Sequence, residues 1–428
     1  WSDAFYIYSI TYSYACIGVS IYCSMRSLKI VLLIFLISSC AYDNVDEELN
    51  ISILKNQNKN FRPSDDSSSF KNNSDEIILG SGRMILKKII LTLKNTYSHA
   101  EANIRLVSTG DPWDKSGSFF ILPTSDLSFL KSQATNLKNL NGLDGQPPIE
   151  LLRFITPFGV GYFNEKDHIK KLKPVYIDEW EDDISWNQDI SQLLPVLEDE
   201  VWVGIYIDTW SDKGWEIDVN LKFKEPLFRK KNKKIVSLLN TTPVVSAQDG
   251  YDQFGKKPLT KTFELEKDTE NVLLYYLTTG HGGHGTGDEF VKKTNIISLN
   301  NEVVKEFVPW RNDCASFRRF NPSSGVWTEK AEWKGKEIEE RIASSDYSRS
   351  GWCPGSKVLP TVINLGDLKK GNHEVSIFIK DAQIQNSKIG IASKDTSYVS
   401  GNNINIKDCI WYDFAAYRKK PYFNGAKL

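Results

Sequence analysis

The chain has 428 residues, room for two to four domains of roughly 100 to 200 residues each, which excludes a small disulfide-stapled scaffold. Fifty-three Lys and Arg against 54 Asp and Glu leave a net charge of −1, and no basic block marks a phosphate-binding face, so nucleic acid is not an expected partner. Five His and two Met leave little material for a soft or redox metal site, whereas 12 Trp and 18 Tyr supply rings with a polar edge, suited to stacking on sugars or to filling β cores.

In chain order, residues 28–39 (LKIVLLIFLISS) form an apolar run of signal-peptide length behind Met25, Arg26 and Lys29. The run ends at Ile37-Ser38-Ser39-Cys40, which resembles a bacterial lipobox and marks Cys40 as the lipidated first residue of a mature chain. Residues 25–39 are then the signal peptide, and residues 1–24 read as translated upstream sequence. An acidic patch behind Cys40 (Asp43, Asp46, Glu47, Glu48) is similar to the surface-export signal of Bacteroidetes lipoproteins. The expected location is the outer membrane, facing the cell surface or the periplasm. Residues 40–78 are rich in Ser, Asn and Asp and read as a flexible stalk.

Period-two alternation dominates the roughly 350 residues that follow. Trp215, Ile217, Val219, Leu221 and Phe223 alternate with polar residues, and the apolar run Val201 to Ile207 precedes them across Asp212-Lys213-Gly214, a pattern that predicts a β-hairpin. Further strands are predicted at Met84–Leu93, Phe119–Leu122, Leu151–Ile155, Val272–Thr278, Thr294–Leu299 and Val375–Ile379. Helical periodicity is confined to Asp189–Leu194 and Glu329–Ile342. A basic run from Arg229 to Lys234 reads as a solvated connector, and it divides the fold into 79–232 and 233–428, each the size of one antiparallel sandwich. The tail after Phe414 reads as loosely ordered. Of the Cys left in the exported part, Cys314, Cys353 and Cys409, two can pair and one is spare.

An all-β enzyme without a cofactor draws its acid and base from carboxylates or His. Three acids stand out by context: Asp114 in the turn Gly110-Asp111-Pro112-Trp113-Asp114-Lys115, Asp208 at the end of an apolar run, and Glu289 behind the Gly-rich loop 280–288 that carries His281 and His284. A turn cap or solvated edge is the ordinary explanation for any one of them.

Four segments resemble signatures of the bacterial peptide:N-glycosidase F family, in its order: Trp113-Asp114-Lys115, Arg153-Phe154-Ile155-Thr156-Pro157-Phe158, Asp208-Thr209-Trp210 and Arg349-Ser350-Gly351-Trp352-Cys353-Pro354-Gly355. The resemblance implies an all-β fold of two adjacent eight-stranded antiparallel jelly rolls with the site in the cleft between them. It implies hydrolysis of the amide joining an asparagine side chain to the innermost N-acetylglucosamine, with no cofactor, on N-glycosylated proteins or glycopeptides, by a monomer. Asp114 matches the principal catalytic aspartate, Glu289 the second essential carboxylate, and Asp208 a position held by glutamate. Lys115 and Arg349 fall where the family has arginines, Trp113, Trp210, Trp352 and His284 are assigned to the substrate, and Cys314–Cys353 matches a family disulfide.

The sequence departs from the family at Lys115, a point charge in place of a planar fork, at the shorter Asp208, at the missing cysteines around Glu289, and in the acidic insertion 178–183. Three other readings compete. Copper-dependent amidating monooxygenases share the two-sandwich form, but they use several His and a Met thioether, and here Met84 lies in a strand run and only His281 and His284 cluster. Those two could hold zinc with Asp288, although so Gly-rich a loop more often serves close approach to a ligand. A glycan-binding protein without catalysis would have lost Asp114 or Glu289, and neither is lost. An endoglycosidase would be told apart by its product.

Overall fold

The computed structural model describes residues 48–63, 75–91, 96–122, 147–162, 174, 176–197, 199–227, 235–240, 257–281, 287–324, 326–327, 342–382, 411–412 and 421–422. The expected signal peptide 25–39, Cys40, residues 1–24, the basic run 229–234, His284, Cys409 and nearly all of the helix candidate 329–342 lie outside them.

The N-terminal half is built from β1 (Leu49–Lys59), β2 (Glu76–Leu79), β3 (Met84–Leu91), β4 (Thr96–Ser108), β5 (Ser116–Leu122), β6 (Ile149–Ile155), β7 (Ile184–Asp189), β8 (Asp199–Ile207) and β9 (Trp215–Leu227). The C-terminal half adds β10 (Leu259–Leu265), β11 (Thr269–Tyr276), β12 (Asn295–Leu299), β13 (Glu302–Phe307), β14 (Trp310–Arg311), β15 (Val326–Trp327), β16 (Ile342–Ala343), β17 (Arg349–Ser350), β18 (Lys357–Val358), β19 (Thr361–Leu368) and β20 (Gly371–Ile379).

In the first half a four-stranded sheet, β1-β9-β4-β7, faces a six-stranded sheet, β18-β6-β5-β8-β3-β2. Alternation places Trp215, Ile217, Val219, Leu221 and Phe223 of β9 on the inner face, each with no exposed surface, against Val203, Ile205 and Ile207 of β8. Each such side chain contributes about 1.5–3 kcal/mol on burial, which makes this layer the main stabiliser of the half. In the second half, β10-β20-β12-β13 and the pair β11-β19 enclose a smaller core around Leu265, Ile297, Ile363, Val375 and Ile377.

Three expectations are corrected. Residues 49–59, read as stalk, form β1, an edge strand antiparallel to β9 from Leu49↔Phe223 to Lys59↔Trp215. Residues 201–207 and 215–223 are not a hairpin, because β8 lies between β5 and β3 while β9 lies between β1 and β4 in the facing sheet. The physical reason is in their patterns: β8 is apolar on both faces and suits a doubly covered strand, whereas β9 alternates and keeps one face to solvent. The helix candidate 189–194 is the end of β7 followed by a 3-10 turn, Ser191–Val196, with Pro195 inside it.

The halves interlock. β18 pairs with β6 (Lys357↔Phe154, Val358↔Arg153), so a strand from the second half completes the first half's sheet. Asn321 accepts from Phe158 N–H at 2.8 Å and donates to Pro354 O at 3.2 Å, and Trp186 Nε1 donates to Gly355 O at 3.1 Å. The acidic insertion is tied down as well, with Asp183 on Arg105 at 2.7 Å and Glu181 on Arg319 at 3.3 Å.

Candidate active site

The turn that carries Asp114 is held from below by two buried side chains. Asp111 accepts from Trp113 N–H at 3.0 Å through Oδ1 and from Thr209 Oγ1 at 2.6 Å through Oδ2. Thr156, with no exposed surface, accepts from Lys115 N–H at 2.8 Å and donates to Trp113 O at 3.1 Å. From the second half, Ser323 Oγ donates to Pro112 O at 3.2 Å. Trp113, Asp114 and Lys115 are therefore presented on a rigid backbone, Trp113 and Asp114 half-buried and Lys115 buried.

Opposite them lies the segment around β17. Arg349 is buried, and its Nε donates to Glu289 Oε1 at 2.9 Å while Nη1 donates to Tyr347 O at 3.2 Å. Its guanidinium lies 4.8 Å from the ring centroids of both Phe290 and Trp352. Gly351 has φ +83, and a Cβ there would stand 2.5 Å from Thr278 O, so the GWCPG glycine is required by both conformation and space. Cys314 and Cys353 form a disulfide that ties this segment to the 3-10 turn Cys314–Phe320.

These groups share one electrostatic environment. Burial pushes the Asp114 carboxyl up to about 7; the Arg349 charge pulls it down, the Glu289 carboxylate pushes it up, and Lys115 pulls it down. Asp114 keeps a partial opening to solvent, which moderates the burial effect and leaves it reachable by water. His281 stacks on Trp352 with ring centroids 5.2 Å apart and its Nε2 sits 2.8 Å from Thr279 Oγ1. Burial pulls its pKa down to about 4 against the attraction of Glu289, so the imidazole is neutral beside the ion pair. Trp352 is buried with its indole N–H on Gly280 O at 2.7 Å, so it packs the floor and offers no open face for stacking.

Asp208 stands apart from that cluster. Its N–H donates to Ser116 O at 2.9 Å, two residues beyond Asp114, but its carboxylate Oδ1 takes Arg83 Nη1 at 3.2 Å and the Tyr206 hydroxyl at 2.6 Å. Trp210 is 38% exposed and lies 4.9 Å from the Phe61 ring. Sequence reasoning brought Asp114, Lys115, Glu289 and Arg349 together, held Asp111 and Thr156 only as motif members without a role, and did not single out Arg83 or Phe61. A cavity of about 1320 Å³ borders the cluster through Ser116, Arg153, Thr279, His281 and Asp288, but neither Asp114 nor Glu289 is in its wall.

With this geometry in hand, two family models match: residues 50–223 fit "Peptide-N-glycosidase F, N terminal" and residues 251–398 fit "Peptide-N-glycosidase F, C terminal". The chain belongs to the peptide-N-glycosidase F family. Among solved structures of the family's fold, PNGF-II in two crystal forms is similar at 32% identity over 79% of this chain, with TM-scores of 0.64 and 0.65. The chain spans 62% and 63% of the length of those two PNGF-II chains. PNGase F from Flavobacterium meningosepticum, described as a glycosylasparaginase, is 15% identical over 79% of this chain and 98% of its own, with a TM-score of 0.42. No curated protein matches. The two antiparallel sandwiches agree with the family fold, and the N-terminal match, which begins at residue 50, takes in β1.

Proposed function

We propose that this chain is a peptide-N-glycanase, an amidase that hydrolyses the bond between an asparagine side chain and the innermost N-acetylglucosamine of an N-glycan. The peptide keeps an aspartate and the glycan leaves as a glycosylamine. The observation that carries the reading is the shared environment of Asp114 and Glu289, in which one carboxyl is pushed to about 7 beside the Glu289–Arg349 ion pair. An unactivated amide needs water delivered to its carbonyl and a proton delivered to the departing nitrogen, and a carboxyl that titrates near neutrality serves both demands. Asp114 takes that role. Glu289, fixed by Arg349, orients the substrate, and the charges of Lys115 and Arg349 stabilise the developing oxyanion.

Trp210 and Trp113 are the rings assigned to the glycan core, and Asp208 accepts a sugar donor. Lipidation at Cys40 and an outer-membrane position carry over from the sequence as part of the proposal. The test is denatured glycoprotein incubated with the chain and read by mass spectrometry. Aspartate at the former glycosylated asparagines supports the amidase. A single N-acetylglucosamine left on asparagine would assign an endoglycosidase, and unchanged glycopeptide would remove the catalytic reading. Labelled fatty acid incorporated by the parent and absent from Cys40→Ser tests the anchor.

A further inference from the structure

The residues Gly80-Ser81-Gly82 run through three successive left-handed conformations, with φ of 60, 57 and 87°. Such a turn is costly, and a Cβ at Gly82 would stand 2.7 Å from Asn60 O. The end of β1 holds it in place: Arg62 N–H donates to Ser81 O at 2.6 Å and the fully buried Lys59 Nζ donates to Gly82 O at 3.0 Å. The same short segment grips the loop after β8, through Phe61 N–H on Ser211 O at 2.8 Å and Asn60 Nδ2 on Asp212 O at 2.7 Å.

Between these two held loops lies Arg83. Its Nε donates to Gly80 O at 2.8 Å, its Nη1 reaches Asp208 at 3.2 Å, and its guanidinium sits 4.2 Å from the Trp210 ring and 5.5 Å from the Phe61 ring. A planar fork stacked on one ring and bonded to one carboxylate fixes both partners in angle as well as distance, which an ammonium cannot do. The held turn and the buried Lys59 fix the backbone from which Arg83 projects.

We propose that Arg83 is a positioning residue of the substrate site, aimed by the end of β1 so that it sets the Asp208 carboxylate and the Trp210 ring for the sugar next to the scissile amide. This rests on the reading of the cleft as an amidase site. Arg83 acts through its two neighbours and takes no part in the bond change.

The test compares Arg83→Met, Arg83→Lys, Asp208→Asn and Arg83→Met/Asp208→Asn with the parent, using N,N′-diacetylchitobiose affinity by calorimetry and KM and kcat on a glycopeptide. Arg83→Met is expected to weaken disaccharide binding and raise KM about tenfold while kcat changes less than about threefold. In the Asp208→Asn background the same change is expected to add clearly less than about tenfold, because the share that acts through Asp208 is already lost and only the share through Trp210 remains. Arg83→Lys restores the charge but not the plane and recovers only part of the affinity. A lowered Tm with unchanged affinity and KM overturns the proposal, as does a full tenfold penalty in the Asp208→Asn background. If the Met variant does not fold, parent-like affinity in Arg83→Lys overturns it. A parent that binds the disaccharide but releases no glycan ends the amidase reading and leaves Arg83 to be judged on affinities; a parent that does neither overturns both.

Discussion

Two aspartates occupy the ends of neighbouring strands in one sheet, and their surroundings give them opposite characters. Asp114, just before β5, is pushed up to about 7 by burial and by Glu289, against the pull of Arg349 and Lys115. Asp208, just after β8, is bound on one oxygen by a guanidinium and a phenol hydroxyl. The first is poised to gain and lose a proton, and the second is pinned as an acceptor. Residue type and strand position are shared, so partners alone separate the two, and the proposed chemical and recognition roles rest on that difference.

The sharpest way to break this comparison is to neutralise each acid in turn. Asp114→Asn is expected to lower kcat at least about a thousandfold with the fold intact, whereas Asp208→Asn should cost about tenfold, mainly in KM. Equal losses in kcat would erase the distinction. Arg349→Met should cost about a hundredfold, since it releases Glu289 and removes a fixed charge beside Asp114, and kinetics on the same glycopeptide would measure it.

The pH dependence sharpens the contrast. The raised Asp114 pKa means that its protonated form prevails below about 7, so kcat/KM for the parent should show a limb near pH 7. Removing the Glu289 charge takes away a cause that raises it, so the Asp114 carboxyl in Glu289→Gln should titrate lower, by NMR of the labelled side chain. Stability follows the same sign. An acid whose folded pKa lies above its unfolded value of 3.8 favours the fold below 3.8, and that contribution is lost as pH rises through about 7. Asp114→Asn should therefore stabilise the fold at pH 8 by on the order of 1–2 kcal/mol given the partial solvent opening, seen as a raised Tm, and change Tm little at pH 4.

Much of the fold was legible because its strands obey simple patterns. β9 alternates over its core face, and β5, β6 and β12 appear where apolar runs end at turn residues. β1 was hidden because its sequence, LNISILKNQNK, is largely polar and its register shifts twice, between Ser52 and Leu54 and between Leu54 and Gln57, which destroys period two. The β8–β9 connection was misread because Asp-Lys-Gly is good turn chemistry wherever the next strand goes. In the site, Asp114 and Glu289 were found through motif resemblance, since a lone acid at a strand end has no distinguishing pattern. Arg83 left no such trace: Gly80-Ser81-Gly82 announces only a turn and not its left-handed course, and its carboxylate partner is 125 residues away.

The pairing of β18 with β6 has a consequence for how the protein is made. When the ribosome has finished β6, one edge of the N-terminal sheet offers unmatched amides around Arg153 and Phe154 until residues 357 and 358 emerge. At about 5–20 residues per second, that edge waits on the order of 10–40 s, a window in which it can pair with another nascent chain. Whatever covers that edge during the wait bears on yield separately from the stability of the finished fold.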